Sequence, residues 1–294
     1  MPYTTRPNVV CGLVWRATGA SLCVWNQRDL SRSTRFQPAL ISWAARASSL
    51  LIANSQVAAD YLVGEIGAPA DRVRVVRNAP ALSHPVDDRV AWRGRLDIPG
   101  DAIVVTMLGH LHRWKDHATL LHAWRSVLDR GRDGAVLLLA GREAGTEDAV
   151  KALAYDLELG RTVRFLGDVV DVAGLLAASD VGVLSSRSES SPNALLESGA
   201  AGLPLAATDI PGVREAVGPH QVAYLAPPGD SLGLAGALLE LIATPALREE
   251  LGRENRRFVL SGTSARPAAT TVDVIAEALA ARARHAPPVG SARP

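Results

Sequence analysis

The chain has 294 residues, 48% of them apolar, and a formal net charge of +1. That length fits about two domains with sizeable cores, and the near-neutral charge speaks against a strongly basic binder, so no nucleic acid is expected as a partner. Cys11 and Cys23 form neither a metal spacing nor a disulfide framework, no apolar run reaches membrane-span length, and the N-terminus lacks a signal-peptide layout. A reducing cytoplasm is therefore expected, with peripheral membrane contact left open.

Pro2 and Pro7 discourage regular structure over residues 1–8, and Asn8 is placed as the cap of a helix over Val9–Thr18 ending at Gly19. Ser21–Trp25 reads as a short buried strand. Polar Asn26, Gln27, Arg28 and Asp29 follow at its carboxyl end, where open parallel sheets gather ligand contacts; a plain polar loop fits equally well. A helix over Pro38–Ala47, a strand over Leu50–Ala53, a helix capped by Asn54 or Ser55 and running to about Gly64, and a strand over Val73–Val76 complete the first series. Residues 81–101 carry several prolines and little periodicity and read as a connector. A second series follows: strand Ile103–Leu108, loop Gly109–Asp116, helix His117–Arg130, strand Ala135–Ala140 and a helix from about Glu147 to Leu157. Strand Thr162–Leu166, helix Val172–Ala178, strand Val181–Leu184, a helix at Pro192, strand Leu205–Ala207 and strand Val222–Leu225 come next. Helices at about 231–243, 246–258 and 265–283 finish the pattern, and 285–294 reads as a disordered tail.

This alternation predicts an α/β fold with parallel sheets in both halves. The divisions are a partial first domain at 1–80, a connector at 81–101, a second domain at 102–260, a C-terminal helix at 261–284 packing back toward the first domain, and the tail. The first half shows only three strands, fewer than a doubly wound domain usually has, so it reads as incomplete. Such a sheet invites an oligomeric partner.

The chemistry gathers at Ser188–Glu197. Glu189 and Glu197 lie eight positions apart with a helix-start signal between them: Ser190 or Ser191 as cap, Pro192 in the first turn. Backbone N–H groups near Asn193 and Ala194 would welcome an anion such as a diphosphate, and a carboxylate on either side could accept from sugar hydroxyls. Taken alone, the two glutamates fit a solvated capped helix better. Among 31 lysines and arginines, lysine occurs only at Lys115 and Lys151, so Lys115 in the loop opened by Gly109 reads as a chemical choice of point charge. Arg113 and Lys115 are placed to meet phosphate oxygens; the plain alternative leaves both solvated with Trp114 packed under the loop. His110 and His112 have no acidic or cysteine partner at supporting spacing, so no metal site is expected. Gly212 in Asp209–Glu215 offers backbone amides to a ligand, or simply a tight turn before a helix. The chain has no P-loop, no Gly-x-Gly-x-x-Gly, no Gly-x-Ser-x-Gly and no Asp-x-Asp. A diphosphate here would have to be neutralised by Lys, Arg and a helix dipole.

Seven blocks stand in order over residues 103–228: Gly109-His-Leu with Lys115-Asp116, Ala140-Gly141, Phe165-Leu-Gly167, Ala178-Ser-Asp180, Glu189 to Glu197, Gly202-Leu-Pro204, and Pro211-Gly212 with Glu215. Together they resemble glycosyltransferase family 4. Asn54-Ser55 and the stretch ending at Asn78 resemble the end of that family's N-terminal domain, and the likeness covers about nine-tenths of the chain. The resemblance implies the GT-B architecture, two Rossmann-like domains facing across a cleft, without a metal and without a cofactor beyond the nucleotide-diphosphate sugar used as donor. It implies Glu189 against the donor sugar, Glu197 on the ribose hydroxyls, Lys115 on the diphosphate, and backbone near Gly167–Val169 edging the base. It also implies retention of anomeric configuration, with the leaving diphosphate helping to deprotonate an acceptor that the sequence does not identify: a glycan, a lipid-linked molecule or a small molecule. His110 departs from the arginine common after the loop glycine, and the resemblance implies a start partway through the family's first domain, as in a truncated enzyme. A nucleotide-sugar binder without turnover is the competing reading; a non-hydrolysing epimerase ranks below both.

Overall fold

Short, continuous runs of valine, leucine, isoleucine and alanine make the strands, and capped or amphipathic stretches make the helices between them. The computed structural model describes residues 2, 4–30, 36–82, 84–132, 134–262 and 266–284, so the tail expected at 285–294 lies outside the described residues. The described residues of Met1–Asn78 and Ser264–Pro294 form one compact unit, and those of Ala79–Thr263 form a second.

In the first unit, α1 (Thr5–Val14) begins ahead of the expected Val9. Pro7 sits in its first turn, where a missing N–H costs nothing, so the irregular run expected over 1–8 is overturned from Thr5 to Asn8. Asn8 is not a cap: it is buried within α1, donates its amide to the Asn26 carbonyl at 2.8 Å and accepts from the Asn26 N–H at 3.1 Å. A 3-10 turn over Trp15–Thr18 stops at Gly19, whose φ of 72° favours glycine. β1 (Val24–Gln27) lies further along than Ser21–Trp25, so Asn26 and Gln27 are buried strand residues instead of loop ligands. Gln27 accepts from the Trp25 indole at 2.8 Å, and Arg28 donates to Asn78 at 3.0 Å; this polar run ties the unit's own loops together. α2 (Pro38–Ala47) and β2 (Leu50–Ala53) fall where the sequence places them. Ser55 caps α3 (Gln56–Gly64) by accepting from the Ala58 N–H at 3.0 Å, and β3 (Val73–Val75) completes a parallel sheet of order β1-β2-β3. The last helix, Pro267–Arg284, lays Val274, Ile275 and Ala278 against Leu50, Ile52 and Val76.

The second unit opens with a helix where a connector was expected. α4 (Arg89–Arg95) is capped by Asp88, which accepts from the Ala91 N–H at 2.9 Å. Its Arg93 is buried, donates to the carbonyls of Pro99, Gly100, Ala102 and Ala178, and pairs with Asp180 at 2.7 Å. Asp180 also receives Arg89 at 2.7 Å and the Val104 N–H at 2.8 Å. The segment is held largely by polar groups, which leave little apolar periodicity to read. Six parallel strands follow: β4 (Val104–Leu108), β5 (Val136–Ala140), β6 (Val163–Gly167), β7 (Val181–Leu184), β8 (Leu205–Thr208) and β9 (Leu225–Ala226). Their order is β6-β5-β4-β7-β8-β9. Between them run α5 (His117–Leu128), α6 (Glu147–Asp156), α7 (Val172–Ala178), α8 (Asn193–Ala200) and α9 (Pro211–Ala216). The strand expected at Val222–Leu225 is mostly a 3-10 turn, Pro219–Tyr224, because the buried Gln221 amide bonds both backbone groups of Leu205. α10 (Ser231–Ala243) and α11 (Pro245–Gly262) close the unit. Core residues cover both sheet faces, including Leu120, Trp124 and Leu238 in one cluster and Trp92, Leu175 and Leu176 in the other. Among the described residues no single helix is long and apolar enough to cross a membrane.

Candidate functional site

β4 and β7 are sheet neighbours whose following connections run in opposite directions, to β5 and to β8. Such a reversal parts the loops at the strands' carboxyl ends and opens a crevice there. Three backbone segments line up on one side. The Gly109 N–H donates to the Ala140 carbonyl at 2.8 Å and the Gly141 N–H to the Gly167 carbonyl at 2.7 Å. A side chain at Gly141 would collide with the Gly109 carbonyl, and the bare Gly109 lets the aliphatic part of Lys115 lie across it.

Lys115 ends the 3-10 turn Arg113–Lys115, and its ammonium reaches Glu189 Oε1 at 2.6 Å; both side chains are mostly buried. The loop after β7 is stitched to the loop after β4: the Ser185 hydroxyl donates to the Lys115 carbonyl at 2.9 Å, and the Arg187 N–H to the Trp114 carbonyl at 2.8 Å. The Arg187 guanidinium bonds buried Asp116 at 2.9 Å, and Thr119 donates to the same carboxylate at 2.9 Å. Gly212, at the start of α9, is buried so tightly under Glu189 that any side chain would strike the Glu189 carbonyl.

These loops bound a cavity of about 380 Å³. Lys115, Glu189, Glu197, Gly109, His110, Ser191, Asn193, Ala194 and Val169 all line it, together with Asp168, Gly141 and Val172. Three expected residues do not. Arg113 is exposed, its guanidinium stacked 4.8 Å from the Trp114 ring centroid, and Trp114 is 46% exposed, so Trp114 is not buried under the loop. Gly167, with φ 66°, contributes its carbonyl to Gly141 while the chain beyond it supplies the wall. Gly212 serves close packing. The helix start is also corrected: Pro192 occupies the cap position, with no side-chain acceptor, and α8 begins at Asn193. Proline holds the residue before it extended, which keeps Ser191 out of the cap and on the cavity wall.

Burial pushes the Glu197 carboxyl up from its ordinary value, opposed by a hydrogen bond from the Ala81 backbone. His110 is pushed down, first by partial desolvation and then by the Arg142 and Lys115 cations, with Asp168 opposing. Buried His117 is pushed down to about 4, by burial first and then by Lys115, against Asp116. Sequence reasoning missed Ser186, Asp116 and His117; of these only Asp116, directly before a helix, carries a local signal. Among the described residues no three His, Cys, Asp or Glu side chains gather as metal ligands. Three carboxylates (Asp168, Glu189 and Glu197), one ammonium and a helix start around one cavity suit a hydroxyl-rich anion: acceptors for hydroxyls, positive ends for phosphate.

Residues 88–258 match the family model described as glycosyl transferases group 1. D-inositol 3-phosphate glycosyltransferase of Streptomyces bingchenggensis (strain BCW-1) is 31% identical over 244 residues, 79% of this chain and 54% of that protein. The lipopolysaccharide core biosynthesis glycosyltransferase LpsE of Rhizobium meliloti (strain 1021) is 29% identical over 258 residues, 79% of this chain and 73% of that one. Anabaena Alr3699/HepE, crystallised in complex with UDP and glucose, superposes with a TM-score of 0.79 at 25% identity, covering 94% of this chain and 76% of its own. The chain spans about half the length of the inositol 3-phosphate glycosyltransferases it matches.

Proposed function

The chain belongs to the glycosyl transferases group 1 family, and from that premise we propose that it moves a sugar from a nucleoside-diphosphate donor to a hydroxyl of an acceptor. The observation that carries this reading is the convergence of Glu189, Glu197, Lys115 and the first turn of α8 on one cavity. Glu197 takes the ribose hydroxyls and Glu189 the donor sugar. Lys115, which has N–H groups beyond the one on Glu189, takes the diphosphate together with the start of α8. Backbone near Val169 edges the base. The leaving diphosphate then removes the acceptor proton, and the sugar is transferred with retention; the protein's part is positioning and charge stabilisation, with no metal. UDP and glucose in the Anabaena structure support a uridine nucleotide sugar as the first donor to try. The relatives' names support a polyol phosphate or a lipid-linked glycan as acceptor. The test is incubation with labelled UDP-, GDP- and ADP-sugars and a panel of such acceptors; neither transfer nor donor hydrolysis would overturn the reading.

His110 favours a second reading, a nucleotide-sugar binder without turnover. Its imidazole stands at the mouth beside Arg142 and Lys115 and is pushed toward the neutral form, so it brings no fixed charge to a departing diphosphate. Micromolar affinity for a nucleotide sugar, with no product from any acceptor, would select that reading.

A further inference from the structure

The two carboxylate oxygens of Glu189 have unequal surroundings. Oε1 accepts from the Lys115 ammonium at 2.6 Å and from the Ser186 hydroxyl at 2.7 Å. Oε2 takes no donor from the described residues. A carboxylate oxygen accepts about two hydrogen bonds, so Oε1 is filled by the protein and Oε2 keeps its capacity for a ligand. Ser186 is wholly buried just past the end of β7, and its own carbonyl is held by the Thr208 hydroxyl at 2.6 Å. With its backbone pinned, the short side chain is pre-organised for Oε1.

We propose that the Ser186 hydroxyl is a positioning group that, with Lys115, fixes Oε1 of Glu189 and thereby commits Oε2 to the hydroxyls of the donor sugar. The inference rests on the nucleotide-sugar reading above and adds what discriminates among sugars. A donor whose hydroxyl opposite Oε2 is missing leaves a desolvated carboxylate oxygen unpaired, the costly side of hydrogen-bond recognition. Lys115 cannot test this cleanly, because its remaining N–H groups serve the phosphate and its loss would disturb both ends of the donor. Ser186 touches only the sugar end.

The test is titration calorimetry with UDP, GDP and ADP, with their glucose and mannose conjugates, and with monodeoxy versions of the conjugate bound most tightly. In the parent chain, at least one monodeoxy sugar should bind about tenfold more weakly than its parent sugar. Ser186→Ala should bind the bare nucleotide within about twofold of the parent and lose most of that tenfold discrimination, whereas Ser186→Thr, which keeps the hydroxyl, should retain it. A Ser186→Ala chain that melts like the parent and discriminates deoxy sugars as the parent does would overturn the role of Ser186 while leaving the donor reading in place. A parent that binds no nucleotide and no conjugate would overturn both. Should Ser186→Ala fail to fold, the deoxy series on the parent decides: no member bound more weakly than the intact sugar would end the proposal.

Discussion

Glu197 is held where its charge is costly. It lies in α8, where burial pushes its carboxyl upward against the pull of the Ala81 N–H. A folded-state pKa above the unfolded one means that the folded chain binds protons in excess, so this residue's contribution to stability is present at low pH and lost as pH rises through the raised value. The acceptor role proposed for it needs the ionised form. Glu197→Gln should therefore raise the melting temperature at pH 7 by about 2 °C in scanning calorimetry while weakening UDP binding about tenfold. His117 has the opposite sign. Its Nδ1 is buried without a hydrogen-bond partner among the described residues, and its pKa is pushed down to about 4 from an ordinary 6.5. The unfolded chain takes the proton first, so stability present above pH 6.5 drains away as pH falls toward 4, by about 3 kcal/mol at most. His117→Leu should flatten that limb: urea midpoints measured from pH 7 to pH 4 should fall less in the variant than in the parent.

At the scale of elements, Asp171 shows what holds the segment before β4. Burial works against its charge, but the Trp92 indole and the N–H groups of Val86, Asp87 and Gly174 outweigh that and hold its pKa at about 2. The distances are 2.9 Å from the indole and 3.0–3.1 Å from the backbone donors. One carboxylate thus caps α7 and fastens the stretch leading into α4. Asp171→Ala removes the cap and leaves those donors unpaired, and should cost about 2 kcal/mol in urea unfolding, where Asp171→Asn, which keeps one acceptor oxygen, should cost less. The same contrast explains what the sequence made legible. β4, β5 and β7 are buried runs of apolar residues, and their bounds could be read within a residue or so. α4 could not, because Arg93 and Asp180 lie 87 positions apart and leave no periodic trace. Glu189, Glu197 and Lys115 stood out by residue type and position, but spacing alone favoured a solvated helix; only the family resemblance implied roles for them, and the fold brings all three to one cavity. Ser185 did not stand out, since its bond to Lys115 crosses 70 positions. A serine after a strand looks the same whether or not it holds a functional loop.

For the whole molecule, every residue given a donor role lies in the unit formed by Ala79–Thr263, and the three-stranded sheet belongs to the other unit. The site is also assembled from separate stretches of that one unit: the loop after β4, the chain after β6, and the turn into α8. A ligand that bridges them stabilises only conformations in which all are in place. At a hundredfold excess over its Kd this amounts to about 2.7 kcal/mol, so openings that break the cavity should become about a hundredfold rarer. Hydrogen exchange with and without saturating UDP should therefore show slowed exchange concentrated at residues 109–116, 167–172 and 189–197. The interior of β4 and β5, already buried, should change little. Slowing spread evenly along the chain would point to nonspecific stabilisation, and slowing confined to Val24–Val75 would put the nucleotide in the wrong unit. Glu197→Gln should remove the effect at 189–197 most, because it cuts the ligand's hold on α8 while leaving Lys115 and its loop untouched.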